Sequence, residues 1–194
     1  MNAISLAEIL PNDEFVAQRE RFQREVIGAK ELRRLPLGPN MTLLFENRLT
    51  CWWQVQEMCR VEGIRNPEAV QHELDTYNAL LPTAHALSAT LLIGYADAAE
   101  RDRQLRALVG LHRHLFLEIA GIPPILARFD ADQFNTERVS AVQFLRIPLD
   151  PTQRAAFLDF ARPARFVVDH PAESAQAALT ASVRGALVED LTAA

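Results

Sequence analysis

The sequence predicts an α+β fold: a helical amino-terminal half packed with a mostly antiparallel sheet of about four or five strands, closed by a carboxy-terminal helix. Three observations lead there. Up to about Leu80 apolar residues recur at helical spacing between capping signals. From Leu87 onward, short runs rich in branched and aromatic residues take over. Few helices interrupt those runs, which favours antiparallel or mixed pairing over a doubly wound parallel sheet. With 194 residues the chain is read as one domain, residues 1–85 forming the mainly helical half and 86–194 the sheet-containing half around a shared core.

Ser5 followed by Glu8 fits a capping box for a short opening helix that Pro11 ends. Asn12 or Asp13 caps the next helix, in which Phe15, Phe22, Val26 and Ala29 recur between charges. Gly38-Pro39-Asn40 then breaks the chain. The run MTLLFENRLTCWWQVQEMC reads as part of a buried helix from Met41 to Glu62, although Thr42 to Phe45 also suits a short strand. On that helix Phe45, Leu49, Trp52, Val55 and Cys59 share a broad face, with Glu46, Trp53, Glu57 and Arg60 beside it. So wide an apolar arc implies burial, and Trp52 is expected to be largely inaccessible. Gly63 suits a left-handed C-cap with Ile64 as its hydrophobic contact. Asn66-Pro67 supplies an N-cap and first turn for a helix through about Leu80.

In the second half LSATLLIGY reads as a strand, and Asp97 with Glu100 caps a helix carrying Leu105, Leu108 and Val109. HLFLEIAG and PILARFD form a strand pair around Ile122-Pro123; VSAVQFLRI and ARFVVDH are further strands, and a closing helix runs from about Glu173 to Leu191. Ser88, Thr90 and Gln143 are polar insertions among apolar strand residues and need hydrogen-bond partners if buried.

Composition narrows the function classes. A net charge of -5 and a pI near 5.6 disfavour nonspecific nucleic-acid binding, and the pair Arg33-Arg34 is too short to reverse that. No apolar run approaches the roughly 20 residues that span a bilayer. No secretory signal is visible at the amino terminus, so a cytoplasmic location is expected. Lys30 is the only lysine, which argues against Schiff-base or P-loop chemistry. Cys51 and Cys59 lie on one predicted helix, about 12 Å apart along its axis, beyond disulfide reach.

Two patterns hold candidate site residues. Glu57 and Arg60 read first as a structural ion pair, and alternatively Glu57 is a desolvated ligand or base. On the next helix Val70, Leu74, Tyr77 and Leu81 point one way and Glu68, His72 and Asp75 another. A solvated face explains that pattern; the sharper reading joins Glu57, His72 and Asp75 around a transition metal, with Arg48 or Arg60 holding an anionic substrate. His85, His112, His114 and His170 read as loop, packing or turn residues.

Taken together, GPNMTLLFENR, QVQEMCR, QHELDTYN, LSATL and VVDHP resemble the recurring blocks of a bacterial family catalogued as domain of unknown function 3501. The resemblance covers nearly the whole chain and implies no settled activity. It does imply a redox or oxidative-stress setting, with a rubrerythrin-like or iron-sulfur oxidoreductase protein as a partner. Gly94-Tyr95 stands where the resemblance implies an acidic residue. The expected function is thus a cytoplasmic accessory or ligand-binding protein, its site between the two central helices and the sheet. A metal-dependent enzyme and a structural subunit are the alternatives.

Overall fold

The computed structural model describes residues 2–133 and 135–193. The fold is α+β, with two antiparallel sheets where a single one was expected. The first is ordered β1-β2-β3-β7-β6: β1 (Arg34–Pro36), β2 (Met41–Phe45), β3 (Ala86–Ile93), β7 (Val142–Pro148) and β6 (Arg128–Phe129). The second is ordered β5-β4-β8-β9: β5 (Ile125–Leu126), β4 (Leu115–Ile119), β8 (Ala164–His170) and β9 (Glu173–Ala178). Leu43, Phe45, Leu91 and Ile147 on one sheet share a buried core with Leu117, Phe166 and Val168 on the other. The Phe45 and Phe166 rings lie 5.4 Å apart across it. Leu105 of α4 (Ala98–Ala107), Phe157 of α5 (Pro151–Leu158) and Leu187 of α6 (Ala181–Thr192) complete that core.

The three amino-terminal helices, α1 (Asn12–Glu31), α2 (Arg48–Val61) and α3 (Pro67–Asn78), form their own layer. Its apolar residues make two separate clusters, around Cys51, Val55, Cys59 and Leu74 and around Phe15, Phe22 and Trp53. The expected common core is therefore divided. Polar contacts help fasten this layer to the first sheet, among them Arg146 of β7, which donates to the carbonyls of Ala79 and Leu81.

Two expected elements change. Met41–Phe45 is strand, paired through Leu44↔Thr90, and the helix begins only at Arg48. Asn47 accepts the Thr50 N–H at 2.9 Å while Thr50 Oγ1 accepts the Asn47 N–H at 3.0 Å, a reciprocal cap that fixes the boundary. Glu173–Ala178 is likewise strand, locked to β8 from His170↔Glu173 to Arg165↔Ala178, so the closing helix starts at Ala181. The stretch PILARFD also splits: Ile125–Leu126 pairs with β4, whereas Arg128–Phe129 pairs with β7 in the other sheet.

Other local signals act as expected. Gly63 takes φ 66 and Ile64 N–H bonds to the Cys59 carbonyl at 2.9 Å, with Ile64 packed on the cluster containing Cys59. Asn66 caps α3 ahead of Pro67, and Asp97 caps α4 through the Glu100 N–H.

Candidate functional site

The residues expected to bind a metal are not brought together. Glu57 sits between two arginines, with Arg19 Nε at 2.8 Å and Arg60 Nη2 at 2.9 Å. Burial pushes its carboxyl up, but the hydrogen bonds from Arg19 and Arg60 prevail and hold it at about 2. His72 and Asp75 lie on the exposed side of α3, where Asp75 accepts from Gln71 at 2.8 Å. Among the described residues no group of three histidine, cysteine, aspartate or glutamate side chains is placed to hold a metal ion. The anion-binding pair is engaged as well: Arg48 bonds Glu8 and the Asn2 carbonyl, and Arg60 bonds Glu57. The structural-pair reading of Glu57 and Arg60 therefore fits the geometry.

Trp52 is only partly buried, its indole N–H donating to the Glu8 carbonyl at 3.0 Å. Its neighbour Trp53 is the buried one, packed with Phe15, Phe22 and Val26 of α1. Both cysteines are free and buried. His170 accepts the Ala172 N–H at Nδ1, so the proton at Nε2 is directed to the Val109 carbonyl at 3.1 Å, a turn-fixing role. His114 Nδ1 faces Asp169 Oδ1 at 3.0 Å.

A different site emerges where the helical layer meets the first sheet. Backbone pairing aligns Arg34, Leu44, Thr90 and Phe144 in one row across β1, β2, β3 and β7, all facing the helices. Leu92 and Val142 flank that row, while Lys30, Gln54, Tyr77 and Leu80 reach over it from the helical half. Together with Glu46 they line a partly open cavity of about 390 Å³, within the size range of small-molecule sites.

Glu46 is 5 % exposed. Its two oxygens each accept a threonine hydroxyl, Oε2 from Thr50 at 2.6 Å and Oε1 from Thr90 at 2.7 Å. It forms no ion pair with any described residue. Its place just before the N-terminus of α2 offsets part of the desolvation cost through the helix dipole. Two residues before Thr90, on the same strand face, the Ser88 hydroxyl is buried with no hydrogen-bond partner among the described residues. Burial pushes the nearby Cys51 thiol well above its ordinary range, and Glu46 adds to the effect. Tyr77 is raised by burial first, then by carboxylates that include Glu46.

A family model described as "Protein of unknown function (DUF3501)" matches residues 3–191. The chain belongs to the DUF3501 family. A crystal structure titled as a novel protein of unknown function from Burkholderia pseudomallei K96243 is 31 % identical, with a TM-score of 0.90. The match covers 97 % of this chain and 99 % of that one. No curated protein matches. Among the described residues no helix of this DUF3501 protein is long and apolar enough to cross a membrane.

Sequence reasoning missed Glu46 because it placed the residue inside a helix. The signal that finds it was nonetheless present. Of the three polar strand insertions, Gln143 bonds the Ser140 carbonyl at 3.1 Å, and Thr90 finds its partner in Glu46.

Proposed function

We propose that this DUF3501 protein binds a small organic ligand in the cavity between its helical layer and first sheet, with Glu46 as the anchoring group. The observation that carries this reading is a buried carboxyl, in no ion pair with a described residue, on the wall of a ligand-sized cavity. Such burial disfavours folding unless neighbouring groups compensate, and a concave apolar site with a few convergent polar groups is the usual form of a binding site. Other clefts carry less. One of about 430 Å³ beside Leu10, Ile64 and Val70 lacks a comparable buried carboxyl. Partnership with a rubrerythrin-like or iron-sulfur protein stays with the family resemblance, since no cavity residue bears on it.

The test is a panel of organic acids, amines, amino acids and nucleosides titrated into isotope-labelled protein. At least one compound should shift the amide signals of Leu44, Thr90 and Phe144. That compound should also raise the melting temperature, as a ligand of the folded state must. Glu46→Gln should weaken both responses. If every compound leaves those signals unmoved, the cavity is not a binding site for this class of molecule.

A further inference from the structure

We propose that the cavity takes a bipolar ligand, one that carries both an acidic group and an amine or hydroxyl donor on an apolar frame. This rests on the ligand-binding reading of the same cavity and adds the chemistry of the occupant. Glu46 presents acceptors. Each of its oxygens already takes one threonine hydroxyl and retains a second lone pair, so an approaching group satisfies it only by donating. A protonated amine would also pair directly with the carboxylate, which Lys30 and Arg34 in the same cavity do not.

The opposite chemistry also lines the cavity. Lys30 is half-buried and Arg34 exposed, and neither side chain forms an ion pair or hydrogen bond with a described residue. Arg33, the adjacent residue in sequence, is instead fully engaged with Asp190. Lys30 and Arg34 therefore remain available to an acidic group, which ammonium and guanidinium donors recognise by charge-assisted hydrogen bonds. Leu44, Leu80, Leu92, Val142 and Phe144 supply the apolar lining. The two cations and Glu46 line one cavity without pairing with each other. A simple fatty acid would leave Glu46 without a donor, and a simple amine would leave Lys30 and Arg34 without an acid.

The probes are terminally aminated hexanoate and octanoate, compared with octanoate and octylamine by calorimetry on the full chain. At least one aminated acid should bind about tenfold or more tightly than either single-ended probe. Glu46→Gln should remove its advantage over octanoate. Replacing Lys30 and Arg34 together by methionine should remove its advantage over octylamine. Neither side chain forms a hydrogen bond or ion pair with a described residue, so this arm is readable even where Glu46→Gln unfolds the chain. Octanoate or octylamine binding as tightly as the aminated acids would overturn the bipolar assignment while leaving the cavity a binding site. Failure of all four probes would overturn it too. The underlying ligand-binding reading falls separately, by a silent response to the broader compound panel.

Discussion

Arg33 and Asp190, 157 positions apart, meet in a two-point ion pair, Nε to Oδ2 at 2.8 Å and Nη2 to Oδ1 at 2.9 Å. Both side chains are buried, and Arg33 also donates to the Ala29 carbonyl at the end of α1. The last helix is thereby pinned to the junction of α1 and β1. Replacing Arg33 by Met should cost about 3–5 kcal/mol, because it leaves the Asp190 carboxyl buried without its partner. Urea unfolding gives the value. A loss below about 1 kcal/mol would show that the carboxyl finds another partner, on the scale of ordinary surface ion pairs.

Glu57 makes a pH prediction. Its carboxyl falls from 4.5 in the unfolded chain to about 2 in the fold, despite burial, because Arg19 and Arg60 favour the charged form. A depressed carboxyl contributes stability that is present above 4.5 and is lost as pH falls through about 2. Between those values the native chain should lose more stability than Glu57→Gln, as followed by acid titration in fixed urea. Parallel curves would mean that the two arginines do not hold the carboxylate in solution.

The adjacent tryptophans separate burial from partial exposure. Trp53 packs edge-on to Phe15 with ring centroids 5.5 Å apart and lies under the Arg19 guanidinium. Trp53→Ala should cost about 3–5 kcal/mol. Trp52→Ala should cost less, since part of its ring already meets solvent. Thermal melts of the two variants measure the difference, and equal losses would contradict the helix orientation.

Cys51 should resist thiol reagents in the folded chain. Burial first, and Glu46 second, disfavour the reactive thiolate. Dithionitrobenzoate should leave Cys51 unlabelled in native protein and label both Cys51 and Cys59 after denaturation, since both are free. Rapid native labelling of Cys51 would reveal frequent opening of the helical layer.

The elements that could be read from sequence were those whose local chemistry agrees with their tertiary surroundings. Asn66-Pro67 at the start of α3, Gly63 at the end of α2 and the branched run of β3 all specify the conformation that packing also selects. Met41–Phe45 fails that test because a continuous apolar run suits a buried helix or a buried strand equally, and partners decide between them. The informative residue was Asn47, a helix cap in mid-run. Glu173–Ala178 was obscured for another reason: its alanines and polar residues favour helix locally, whereas hydrogen bonds to β8 impose extension. For the site, Thr90 announced an absent partner, but only the strand assignment of Met41–Phe45 brings Glu46 to it.

Ala127 alone separates β5 from β6, and those strands belong to different sheets. Its N–H bonds to the Leu115 carbonyl at 2.9 Å and its methyl group lies in the shared core. The two sheets are consequently coupled like gears on one axle. Moving the chain by one residue here would invert the inward and outward positions of whichever short strand yielded, so this crossing leaves neither sheet an independent register.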